Sequence, residues 1–179
     1  MKILGKLQHV KLLEIGSLVI KILSALEVEG LSSPLLNYKC LTLDATNFDE
    51  DLPGIIRAIC STHVLEKLVI KLQLVKFPEF RDLNDCRTKK NWDSNGTIFN
   101  CSVSNLKTVK IIGLSERDDR HKLLFEFVEF LLKNARMLNK IVVILVDCGT
   151  GFPFEVFEKL LSFRSCCFPR TTIELLYSN

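Results

Sequence analysis

Two periodicities alternate along the chain. In the first, an apolar residue is followed by two others, an apolar residue, one other, and an apolar residue. That spacing recurs as Val10, Leu13 and Ile15; as Tyr38, Leu41 and Leu43; as Leu65, Leu68 and Ile70; as Leu106, Val109 and Ile111; and as Leu138, Ile141 and Val143. Phe168, Thr171 and Ile173 form a weaker last copy. The closing step of two within each copy suits a strand with one face inward. Between the copies the apolar spacing turns helical. Ser17 is a candidate N-cap for a helix facing inward with Ile22, Leu23 and Leu26. Asp49, Glu50 and Asp51 precede Pro53, which suits a first turn, and Ile55, Ile56 and Ile59 form the inner stripe of a second helix. Asp118 or Asp119 caps a third, with Leu124, Val128 and Leu131 inward and Glu126, Glu129 and Lys133 on or near the other side. Pro153 opens a fourth, striped by Val156, Phe157, Leu160 and Leu161.

The copies lie about 27–32 residues apart, with one interval of about 41, against roughly 20–29 for leucine-rich repeats. One strand–helix unit cannot bury its apolar face alone, whereas stacked units share a continuous core. The pattern therefore predicts an α/β leucine-rich-repeat solenoid of about five to six degenerate repeats. It would have a curved parallel sheet with helices on the convex side. Residues 1–104 form degenerate repeat units, with a loop insertion around 76–104 whose middle, Asn84 to Gly96, is polar and turn-rich. Residues 105–179 continue the same solenoid. An ordinary open α/β sheet is the rival architecture, but central strands buried on both faces have no need of this spacing. In the solenoid the residues between skeleton positions face the concave side. The candidate protein-binding face is Lys67, Val69, Lys71, Thr108, Lys110, Ile112, Lys140, Val142 and Ile144, with Glu14 and Thr42 beside it. Val and Ile in that register point to an interaction surface, or to a segment such as the insertion lying over them.

Composition adds exclusions. The net charge of +3 is interspersed rather than blocked, and the only basic run beside an aromatic is Arg87, Lys89, Lys90 and Trp92. That is a weak footprint for nucleic acid, so no nucleic-acid partner is expected. The apolar run Ile141 to Val146 is far short of the roughly 20 residues of a membrane helix, so no membrane association is expected. Seven cysteines at irregular spacing make a poor disulfide framework and favour a reducing compartment, cytoplasm or nucleus. His9, His63 and His121 have no metal-ligand spacing, and no phosphate loop or dinucleotide fingerprint occurs; no metal, cofactor or catalytic residue is expected. Cys148, ahead of Gly149-Thr150-Gly151, and Cys60, three residues before His63, are the thiols an enzyme of α/β type would use. A turn and a helix end account for them more simply.

The segment from Ser104 to Asp147 closely resembles the FBD region of plant F-box/LRR proteins. Leu106, Lys107, Val109, Ile111 and Gly113 match the family's strand, and Glu129-Phe130-Leu131-Leu132-Lys133-Asn134-Ala135 matches its helix end. Leu138, Lys140, Val142 and Val143 fit the following strand loosely. Ser33-Pro34-Leu35-Leu36 and the stretch from Leu160 to Tyr177 resemble other parts of the family. The resemblance implies a non-catalytic protein-interaction module, the substrate-recognition region of a ubiquitin-ligase receptor. The F-box, which docks a Skp-type adaptor, has no counterpart in these residues, so that adaptor is not an expected partner; a truncated or non-functional fragment is a further alternative. The asparagine ladder of regular repeats is also missing: Leu18, Thr46, Gln73, Leu114 and Val146 occupy its positions. The turns must satisfy their backbone groups another way.

Overall fold

The structure, a computed structural model, describes residues 10–28, 37–73, 103–114, 121–146, 158–162 and 170–177. Strand β1 (Leu12–Ile15) leads into helix α1 (Ser17–Val28), β2 (Cys40–Ala45) into α2 (Phe48–Cys60), and β3 (Lys67–Leu72) is followed by β4 (Thr108–Leu114). Helix α3 (His121–Asn134), β5 (Lys140–Leu145) and β6 (Thr172–Tyr177) complete the series, and residues 158–162 are helical. The six strands form one sheet, parallel throughout, in the order β1-β2-β3-β4-β5-β6. Right-handed crossovers that always step the same way put their helices on one side of the sheet. Among the described strands the order never reverses, so they form no crevice of the kind at which doubly wound folds bind ligands. This is the leucine-rich-repeat arrangement the spacing predicts.

The skeleton residues stack in register. Leu13, Leu41, Leu68, Val109, Ile141 and Ile173 pair in one row, and Ile15, Leu43, Ile70, Ile111, Val143 and Leu175 in the next. All but the partly buried Leu13 and Leu175 are buried, in one core with Ile20 and Leu23 of α1, Leu52, Ile55 and Ile59 of α2, and Leu124, Val128 and Leu131 of α3. Each fully buried aliphatic side chain contributes roughly 1.5–3 kcal/mol. The last copy departs from the expected alignment: Ile173 pairs with Ile141 rather than Val143. A strand shifted by two keeps its inner face, so alternation alone does not separate the two alignments. The observed one fills both inner rows with Ile173 and Leu175, and the Thr171 hydroxyl donates to the Leu138 carbonyl at 2.8 Å. Phe168 lies outside the described residues.

The helices differ from expectation at their starts. Gly16, not Ser17, precedes α1, and its carbonyl accepts from Val19 and Ile20 N–H. Ile20 and Leu23 face inward, while Ile22 is exposed. Helix α2 begins at Phe48, so Pro53 sits inside it rather than in its first turn. Next to this proline the Ser24 hydroxyl of α1 accepts from Gly54 N–H at 2.9 Å and donates to the Glu50 carbonyl at 3.3 Å. Those are the two groups an uninterrupted helix would bond to each other. A Cβ on Gly54 would collide with the Ile20 carbonyl, so glycine is what lets α1 and α2 approach this closely. Helices α2 and α3 meet through Phe48 and Phe127, whose rings pack edge to face at 5.8 Å. Asp118, Asp119, Pro153, Val156, Phe157 and nearly all of the 76–104 insertion lie outside the described residues; Leu160 of the fourth helix is buried. No helix among the described residues is long and apolar enough to cross a membrane.

The missing asparagine ladder is replaced locally. In the turn from β2 to α2, the Asp51 carboxylate accepts from Thr46 N–H at 2.8 Å and Asn47 N–H at 3.0 Å. After β3, Gln73 N–H donates to the Ala45 carbonyl at 2.8 Å.

Candidate protein-binding face

Alternation along each strand sends every second side chain away from the helices. Three rows result on that outer face. The first runs Leu12, Cys40, Lys67, Thr108, Lys140, Thr172; the second Glu14, Thr42, Val69, Lys110, Val142, Glu174; the third Asp44, Lys71, Ile112, Ile144, Leu176. The nine residues expected on the face from spacing therefore lie side by side on β3, β4 and β5. Parallel sheets are ordinarily covered on both faces. Here Lys67 is exposed, and Val69, Lys71, Thr108, Lys110, Ile112, Lys140 and Ile144 are partly so. Val142 alone of the nine is buried, at 7% exposure.

Charge is segregated across this surface. Its middle strands carry Lys67, Lys71, Lys110 and Lys140, while its acids stand on the flanks: Glu14 on β1, Asp44 on β2 and Glu174 on β6. Lys71 reaches Glu14 at 2.7 Å and Asp44 at 3.5 Å, and those two carboxylates hold its ammonium above the usual lysine range. Lys140 reaches Glu174 at 2.8 Å. Lys67 and Lys110 have no carboxylate partner among the described residues. Beside them the third row ends in Ile112, Ile144 and Leu176, the last 45% exposed.

A second charged feature lies at the strand starts, and spacing gave no warning of it. Lys39 N–H and Cys40 N–H both donate to the Lys11 carbonyl, Glu66 and Lys67 N–H to that of Lys39, Lys107 and Thr108 N–H to that of Glu66, and Asn139 and Lys140 N–H to that of Lys107. This backbone ladder aligns the side chains. Glu66 then accepts from Lys107 at 2.8 Å and from Lys39 at 2.9 Å. Between two ammonium groups its carboxyl falls to about 2, with Lys107 the larger cause, and Lys39 is raised by the same carboxylate. Writing the residues before each strand in repeat register would have shown the signal: a lone acid between lysines.

The rival sites fare differently. Cys60 is disulfide-bonded, so it is not a free nucleophilic thiol, a pairing that the poor disulfide framework of the spacing does not foresee. That removes one ground for placing the chain in a reducing compartment. Cys40 is a free thiol on the outer face. His63 is exposed beyond the end of α2, where its carbonyl accepts from the Asn105 amide at 2.6 Å. Among the described residues no three His, Cys, Asp or Glu side chains are grouped to hold a metal. Cys148 and the run from Arg87 to Trp92 lie outside the described residues.

The strand β4 has one irregularity. Register slips between Ile112 and Leu114 because Gly113 forms a bulge with φ +93°. Only glycine adopts that conformation readily, and a Cβ there would run into the Leu72 carbonyl oxygen of β3. The last glycine of the strand motif Leu-Lys-x-Val-x-Ile-x-Gly thus has a backbone reason. Residues 96–143 match the family model for the FBD region. The chain is a homologue of plant F-box/LRR-repeat proteins. An F-box/LRR-repeat protein of Arabidopsis thaliana is 31% identical over 160 residues, which covers 86% of this chain and 34% of its own length. A probable F-box protein of the same plant is 31% identical over 150 residues, 80% of this chain and 42% of its own length. A further Arabidopsis F-box/LRR-repeat protein is 29% identical over 157 residues, 82% of this chain and 31% of its own length. The chain thus spans about a third to two-fifths of the length of these relatives. No solved structure matches it.

Proposed function

We propose that this part of an F-box/LRR homologue is a non-catalytic recognition module whose outer sheet face binds a protein target, as the substrate-recognition region of a ubiquitin-ligase receptor would. The observation carrying this reading is the outer face of the parallel sheet, on which Lys67 is exposed and Val69, Lys71, Thr108, Lys110, Ile112, Lys140 and Ile144, contiguous with it on β3, β4 and β5, are partly so. Val142 lies in the same outer rows but is itself buried. The relatives' description as F-box/LRR-repeat proteins supports a receptor role. Docking of a Skp-type adaptor is not carried over to these residues.

The test is proximity labelling in plant cells, with the full chain fused to a labelling enzyme. A target should be enriched by the native chain, lost with Ile144→Arg on the outer face, and retained with Lys133→Glu on α3. An enriched set indifferent to Ile144→Arg, in a variant that melts like the native chain, would sink the proposal.

A further inference from the structure

We infer that the outer face takes an extended protein segment in which an acidic side chain is followed by apolar ones. The carboxylate seats between Lys67 and Lys110, and the apolar side chains lie along Ile112, Ile144 and Leu176. This rests on the reading of that face as a protein-binding surface and adds the chemistry of what it binds.

The charge pattern selects the acid. Four lysines occupy the outer face of β3, β4 and β5, and two of them are spoken for: Lys71 by Glu14 and Asp44, Lys140 by Glu174. The two without a carboxylate partner among the described residues are neighbours. Lys67 pairs in register with Thr108, and Lys110 lies two residues further along β4, opposite Val69. Adjacent strands are ~4.8 Å apart and same-face residues ~6.6 Å apart, so one carboxylate lies within reach of both long side chains. A lysine that lies partly buried on a sheet, as Lys110 does, has fewer directions to turn than a fully exposed one, which lowers the cost of meeting an incoming anion.

The same pattern argues against a polyanion. Cations are confined to the middle of the face, with Glu14 and Asp44 on one side and Glu174 on the other. A nucleic acid carries a phosphate at every step, and its next charges would fall on those carboxylates. A segment with one acid and apolar neighbours fits instead. From Lys110 the next outer residue along β4 is Ile112, and the row then crosses to Ile144 and Leu176. Apolar groups in a row beside a cation gain most by covering one another. In an extended ligand, side chains on one face recur every second residue. The recognised pattern is an acid with apolar residues two and four positions on.

The experiment uses the full chain and fluorescein-labelled decapeptides in anisotropy titrations at ~0.15 M salt. One peptide carries Glu-x-Leu-x-Leu, a second replaces Glu by Gln, a third by Lys, and oligothymidylate serves as the polyanion. The Glu peptide should bind at least tenfold more tightly than the Gln peptide. Lys110→Glu should abolish that preference and favour the Lys peptide, whereas Lys133→Gln should change nothing. Equal binding of the Glu and Gln peptides, no detectable binding of the Glu peptide, or an oligothymidylate affinity equal to it and equally sensitive to Lys110→Glu would each overturn the inference. A displayed library of random dodecamers selected on the same chain separates the two readings. Selected peptides that lose binding with Ile144→Arg but carry no acid leave the face a binding surface and remove only the chemistry assigned to it. Selected peptides indifferent to every outer-face substitution remove both.

Discussion

At Gly113 two constraints meet on one atom. The backbone turns to φ +93°, and the space a Cβ would fill is taken by the Leu72 carbonyl of the neighbouring strand. Strain of the first kind costs of order 1–3 kcal/mol for a non-glycine residue. The second adds to it, because a carbonyl committed to the sheet has little room to retreat. Gly113→Ala should therefore destabilise the chain by at least about 2 kcal/mol, read as a lower denaturation midpoint at unchanged m-value. An alanine variant within half a kcal/mol of native would show that the bulge can relax, and would remove the backbone reason for glycine at the end of the FBD strand motif. Ser24 and Gly54 make a milder version of the same point. A hydroxyl from α1 stands in for a helical bond of α2, and only glycine opposite allows it.

At the scale of elements, legibility follows periodicity. The inner rows of β1 to β5 were readable because a strand fixes its own face and register is shared between identical skeletons. Spacing alone misaligns the last strand by two, because a two-residue shift changes no face. Helix starts were less readable. Ser17 looks like a cap, but Gly16 supplies the carbonyl that receives the first bonds, and Pro53 looks like a first-turn residue because the three acids before it mimic a cap. The outer face was legible as a set, yet its internal pairing was not, since spacing does not say that Lys71 and Lys140 lean to the flanks. The Lys39–Glu66–Lys107 ridge also escaped, and it makes a prediction of its own. Glu66 is ordinarily protonated near 4.5 but in the folded chain only near 2. The unfolded chain therefore takes up that proton first as pH falls. The stabilisation from this group is present above about 4.5 and is lost on the way down to about 2. Melting temperature followed from pH 6 to pH 2 should fall less steeply in Glu66→Gln than in the native chain, and the two curves should converge at the acid end. Parallel curves would mean that the bridging carboxylate is worth no more folded than unfolded.

For the whole molecule, one core shared by stacked units has a consequence for how it comes apart. Nearest-neighbour contacts carry the stability of a repeat array, so a central unit supports two interfaces and an edge unit one. Leu68 lies fully buried on β3, between β2 and β4, whereas Ile173 lies on β6 at the edge of the described sheet. Placing an uncompensated carboxylate at either site is costly, and the charge must find water or force the local structure open. At Ile173 the escape is easy: β6 peels from β5, and the rows from β1 to β4 keep their neighbours. At Leu68 there is no such exit, because releasing β3 leaves β2 and β4 with new edges and takes Leu68 and Ile70 out of the shared core. Hydrogen exchange should therefore show Ile173→Asp losing protection in β6 and part of β5 alone, with β2 and β3 as slow as native. Leu68→Asp should lose it throughout the sheet. If both substitutions unprotect every strand alike, the sheet opens as one unit and the picture of separable repeats fails. If Leu68→Asp stays confined to β3, the rows on either side hold without it, and the proposed binding face of β3, β4 and β5 is not supported by a common core.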